Sequence, residues 1–107
     1  MILNWFNTRE VDEFAQIVVG ELLKRYPPEG KYFEVKKSTE RLRKTHDFIF
    51  ARVSTFAKSA KLNTYKIARL GNQTKWALKE AGYPKGFVET FVLEMVSVVT
   101  TQGRKRG

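Results

Sequence analysis

Cysteine is absent from the chain, and histidine occurs once, at His46. A disulfide framework and thiolate zinc sites are thereby excluded, and a metal site within one chain has few ligands to draw on. Proline is scarce: three residues, Pro27, Pro28 and Pro84, leave long stretches with nothing to break a helix. Acids are few, 11 against 20 basic residues, for a formal net charge of +9. Long apolar runs are missing too. The longest, Phe87 to Val99, is interrupted by Glu89 and Glu94 and falls short of the roughly 20 residues a membrane-spanning helix needs. The opening stretch Met1 to Phe6 is apolar but meets Asn7 and Arg9 before completing a signal-peptide core of roughly 7 to 15 residues. These absences predict a soluble, cytoplasmic protein. No Gly-rich phosphate loop, Ser/His/Asp arrangement or facing pair of carboxylates is visible, so the expectation is a non-catalytic protein with no cofactor and no metal.

What is present is a strong charge asymmetry. Residues 36–79 hold twelve of the twenty basic residues and two acids, Glu40 and Asp47, so nearly all the excess charge sits in the middle of the chain. The flanks are close to neutral, apart from the basic end Arg104-Lys105-Arg106. Such a concentration points to an anionic partner.

The same middle region has the most regular helical pattern. Leu42, His46, Ile49, Val53, Phe56 and Ala60 recur at spacings of three and four, the stripe of one helix face against a core. The opposite arc collects Arg41, Lys44, Thr45, Phe48, Arg52, Thr55 and Ser59: cations, hydroxyls suited to phosphate, and one ring. His46, on the apolar stripe with no nucleophile at helical spacing, reads as a buried neutral histidine bonded to backbone or a hydroxyl rather than a base.

In chain order, Asn7 with Glu10 three residues on predicts a capping box, and Phe6 is placed to staple against Val11. A first helix follows, with Val11, Phe14, Ala15, Val18, Leu22 and Tyr26 on one face and Lys24 and Arg25 in its last turn, until Pro27-Pro28 stops it. Residues 27–38 read as a loop. Ser38 or Thr39 caps the second helix, which runs to Ala60 or Leu62. Asn63 or Thr64 caps a third, Thr64 to Ala81, closed by Gly82 and Pro84. Its inner face is Ile67, Leu70, Thr74, Ala77, Leu78 and Ala81; its outer face is Tyr65, Arg69, Asn72, Lys75, Trp76 and Lys79. A fourth helix from Pro84 carries Phe87, Val88, Phe91, Val92, Met95, Val98 and Val99, with residues 100–107 expected to be disordered.

The sequence thus predicts an all-α, compact bundle of about four helices forming a single domain, residues 1–103, with a basic tail at 104–107. A chain of 107 residues buries roughly two-thirds of its unfolded surface and needs no metal to fold. For function, the basic-aromatic outer faces of the two central helices suggest nucleic-acid binding, DNA or RNA. Arg41, Lys44, Arg52, Arg69, Lys75 and Lys79 would neutralise phosphates, while Phe48, Tyr65 and Trp76 supply stacking surface. A narrower form makes Gly71-Asn72-Gln73 the turn of a helix-turn-helix, with Thr74 capping a short recognition helix. The alternative is a helical interaction module, its exposed rings forming a homo-oligomer or holding an acidic protein.

Overall fold

The computed structural model describes residues 7–28 and 36–106, and within them the fold is all-α. Four helices follow one another: α1 (Arg9–Arg25), α2 (Lys36–Ser59), α3 (Thr64–Ala81) and α4 (Lys85–Arg106). Among the described residues no helix is long and apolar enough to cross a membrane.

The helix ends follow local chemistry. The chain enters α1 one residue later than the capping box requires: Thr8 is the N-cap, its carbonyl takes the Asp12 N–H at 2.8 Å, and its hydroxyl donates to Asp12 Oδ2 at 3.1 Å. Asn7 still contributes from one position further out, its Oδ1 accepting the Arg9 N–H at 3.1 Å. The staple involving Phe6 lies outside the described residues, as does most of the expected loop after Pro28. The second helix begins at Lys36, ahead of Ser38. Asn63 caps α3 as predicted, its Oδ1 accepting from the Lys66 N–H at 2.8 Å. At the far end Gly82 adopts φ 102°, and the Tyr83 N–H returns to the Leu78 carbonyl at 3.2 Å. Only a residue without a Cβ takes that backbone cheaply, which is why the helix stops there.

Two expectations are corrected. Gly71 is no turn: α3 is continuous through it, so there is no helix-turn-helix here. The tail also departs from expectation, because α4 runs on through Arg106. One glycine at position 103 costs about 1 kcal/mol, too little to end a helix that continues into Arg-Lys-Arg.

Packing sets the arrangement. α1 and α3 run parallel and in register: Asp12 meets Arg69 near one end, and the Tyr83 hydroxyl donates to the Tyr26 carbonyl at 2.7 Å near the other, both pairs separated by 57 positions. α4 turns back antiparallel to α3, with Gly71 facing Val96 and Val92. α2 lies against α4 through the edge-on pair Phe50–Phe91, centroids 5.3 Å apart. It meets α1 least, through the parallel rings of Phe14 and Phe56 at 4.0 Å. Each helix therefore packs mainly against two neighbours, and α2 and α3, though consecutive, are not one of the main packing pairs and stand diagonally across the bundle.

The core collects the predicted α1 stripe together with Val19, then Ile49, Val53, Leu70, Leu78, Val88, Phe91, Met95 and Val99. Full burial of such side chains contributes about 1.5–3 kcal/mol each. On α2 the buried arc is wider than the sequence stripe: Phe50, Ala57 and Thr45 are buried as well, so Thr45 leaves the outer face assigned to it.

Candidate functional site

The site begins at the end of α1. Lys24 and Arg25 occupy its last turn, where cations complement the helix dipole. Because the chain returns antiparallel along α2, these two residues come to face the first half of that helix. There Lys24, Arg25, Arg41, Lys44, Glu40 and Thr45 line an open cleft of about 620 Å³. Four cations against one acid make it strongly positive. Lys44 and Glu40 approach only to 3.9 Å, both well exposed, which leaves that lysine little neutralised.

Further along α2 the surface changes character. Phe14, Phe48, Ala51, Arg52, Thr55, Phe56 and Ser59 line a shallow groove of about 510 Å³. It lies between α1 and α2, which pack less closely than the other neighbouring pairs, and the stacked rings Phe14 and Phe56 line it. Phe48 lines the groove and is linked to the cleft by Arg25, which lines the cleft. Its ring is half-buried against the core, the Arg25 guanidinium carbon lies 3.7 Å from the ring centroid, and that of Arg52 lies at 5.2 Å. Glu21 Oε1 accepts from Arg25 Nε at 2.9 Å, which fixes that guanidinium above Phe48 and holds the Glu21 carboxyl below its ordinary range.

Of the predicted site residues, Arg41, Lys44, Phe48 and Arg52 are thus brought together, and α1 adds Lys24 and Arg25, which the sequence reading placed in the last turn of the first helix without a site role. The signal available was the pair of cations just ahead of Tyr26-Pro27-Pro28, at the end where the chain leaves α1. The hydroxyls of Thr55 and Ser59 turn their protons into α2. Thr55 Oγ1 donates to the Ala51 carbonyl at 3.1 Å and Ser59 Oγ to the Thr55 carbonyl at 3.1 Å, so both protons are spent within the helix.

Tyr65, Arg69, Lys75, Trp76 and Lys79 stand on α3, diagonal to α2, and form no common face with the cleft. Arg69 is occupied by Asp12: Nε reaches Oδ1 at 3.0 Å and Nη2 reaches Oδ2 at 3.2 Å. That two-pronged bond, the main cause, lowers the Asp12 pKa and raises that of Arg69. Arg69 therefore clamps α1 to α3. Lys75 is half-buried. Trp76 is 59% exposed, with Lys79 Nζ 5.1 Å from its ring, and Tyr65 is 42% exposed.

His46 differs from expectation. Its Nε2 lies 2.7 Å from Glu94 Oε2 on α4, and its Nδ1 lies 3.4 Å from Asp47 Oδ1. The partner is a carboxylate from another helix, not backbone or hydroxyl, and the ring is part-exposed and stacked on Phe50 at 4.3 Å. A pairing across 48 positions leaves no local trace in sequence. Among the described residues no group of three or more potential ligands gathers for a metal.

Comparison of the chain with protein-family models, with curated proteins and with solved structures finds no match.

Proposed function

We propose that the protein is a non-catalytic nucleic-acid-binding module whose contact face is the cleft between the C-terminal end of α1 and α2. The observation that carries this reading is the convergence of Lys24, Arg25, Arg41, Lys44 and Arg52 around Phe48. Cations at several points along one recess suit a repeating anion, and an aromatic set among them suits bases. The original form of the idea, a joint face of the two central helices, is replaced by one helix and its antiparallel neighbour.

The test is fluorescence anisotropy with labelled DNA and RNA at about 50 and 200 mM salt. Three phosphate contacts, on Lys24, Lys44 and Arg52, at about 0.7 counterions each predict a loss of affinity of about twentyfold over that range. Binding that is indifferent to salt, or unchanged by Lys44→Glu with Arg52→Glu, would sink the reading.

A second reading concerns the other face. Trp76, 59% exposed, and Tyr65 on the outer surface of α3 are more ring than a solvated helix requires. They favour a contact with a second copy of the chain or with an acidic protein held by Lys79. Sedimentation of wild type and Trp76→Ala tests the self-contact: a dimer lost in the variant supports it, and a monomer in both removes it.

A further inference from the structure

We infer that the ligand of the α1/α2 face is single-stranded rather than duplex nucleic acid, with a base seated in the apolar groove beside Phe48 and its flanking phosphates on Arg52 and on Lys24 and Lys44. The inference rests on the nucleic-acid reading of the cleft and adds the strand form and the base seat. Three features of the site carry it.

The first is the succession of chemistries along α2. The cationic cleft adjoins the groove through Arg25, which lines the cleft and stacks on Phe48 of the groove, so charge and a shallow, largely apolar recess lie side by side. A strand has that same alternation, with phosphates on its backbone and exposed π surfaces on its bases. In a duplex the π surfaces are covered by stacking, and what remains to be read is the edge of each pair in a groove. The second is shape. Entering a major groove about 12 Å wide takes a protruding helix or ribbon, whereas here the cations border a recess between two helices. A recess admits a splayed base; it does not enter a groove.

The third is the stack already in place. Arg25 lies 3.7 Å over Phe48 and is fixed there by Glu21. Because Arg25 covers one face of the ring, what the stack offers a base is the outer guanidinium plane of Arg25, itself part-exposed, and the Phe48 edge that borders the groove. Thr55 and Ser59 turn their hydroxyl protons to α2 carbonyls, so the side-chain hydroxyls of the groove wall offer a base edge acceptor oxygens only. The site therefore accepts bases with little sequence preference.

The experiment uses the full chain and three labelled ligands of about 12 nucleotides: a mixed-sequence single strand, the same sequence as duplex, and a single strand carrying abasic sites at its centre. Anisotropy titrations at about 50 mM salt are run on wild type, Phe48→Leu and the Lys44→Glu/Arg52→Glu double variant, each checked for helical content. The intact strand is expected to bind about tenfold tighter than the duplex and about tenfold tighter than the abasic strand, with Phe48→Leu shrinking the second difference. Because the abasic comparison needs no variant, a folding defect in Phe48→Leu does not blunt it. Equal affinity for intact and abasic strands, or tighter binding of duplex, overturns the base seat; if such binding is still abolished by the double variant, the broader reading stands. No binding of any ligand by wild type overturns both.

Discussion

Gly71→Ala places one methyl group between α3 and α4, and its effect follows from two opposing terms. Within a continuous helix, alanine is favoured over glycine by about 1 kcal/mol. The new Cβ, however, would lie 3.1 Å from Val96 Cγ2 and 3.8 Å from Val92 Cγ1. The second is an ordinary contact, but the first is closer than carbon atoms prefer, roughly 3.5–4.0 Å. Val96 is β-branched and nearly fixed at χ1 in a helix, so relief requires the helices themselves to part by a few tenths of an ångström. Overpacking of this kind costs about 1–3 kcal/mol. The net expectation is a destabilisation of about 0–2 kcal/mol in the wild-type background. In a Val96→Ala background the obstructing methyl is gone, and the same substitution should stabilise by about 1 kcal/mol. Urea unfolding followed by far-UV circular dichroism on the four proteins of the cycle measures the difference, expected to exceed about 1 kcal/mol of coupling. A cost equal in both backgrounds would show that Gly71 is demanded by its backbone rather than by its neighbour, which would revive the turn that α3 does not show.

Tyr83→Phe removes the donor to the Tyr26 carbonyl at the shared end of α1 and α3. Since the phenol is buried, and burial pushes its pKa up, the loss should be about 1–2 kcal/mol in urea unfolding; no change would mean that water takes over the bond. Asp12 gives a pH signature. Chiefly through its bond from Arg69, its folded pKa lies below the ordinary 3.8, so its contribution is present in full above about pH 5 and is lost as pH falls through the folded value. Wild type should exceed Asp12→Asn in thermal midpoint near neutral pH, the gap closing below about pH 4; a gap that widens toward acid contradicts the sign. Arg69→Glu should lower the melting temperature while leaving the number of phosphate contacts unchanged. Lys44→Glu with Arg52→Glu should do the reverse, flattening the logarithmic salt dependence of single-strand binding by about 1.4.

The sequence by itself determined the helices. Period, caps and punctuation are local: Asn63, Gly82 and the prolines act on the backbone within a few residues, and the stripe Val11, Phe14, Ala15, Val18, Leu22 is buried as its spacing requires. It also marked Arg41, Lys44, Phe48 and Arg52 as facing outward together, because one helix fixes their relative directions. Tertiary structure alone decided which other helix would share that face. Amphipathic pattern says that a stripe is buried but not against what. The chain pairs α2 with α1 and α4 and sets α3 diagonally away, which divides the predicted nine-residue face in two. It likewise decided that Arg69 would be spent on Asp12, 57 positions distant, and His46 on Glu94, 48 positions distant. Such bonds depend on which helices become neighbours, and that choice is made by the fit of whole faces, with Gly71 against Val96 the clearest instance.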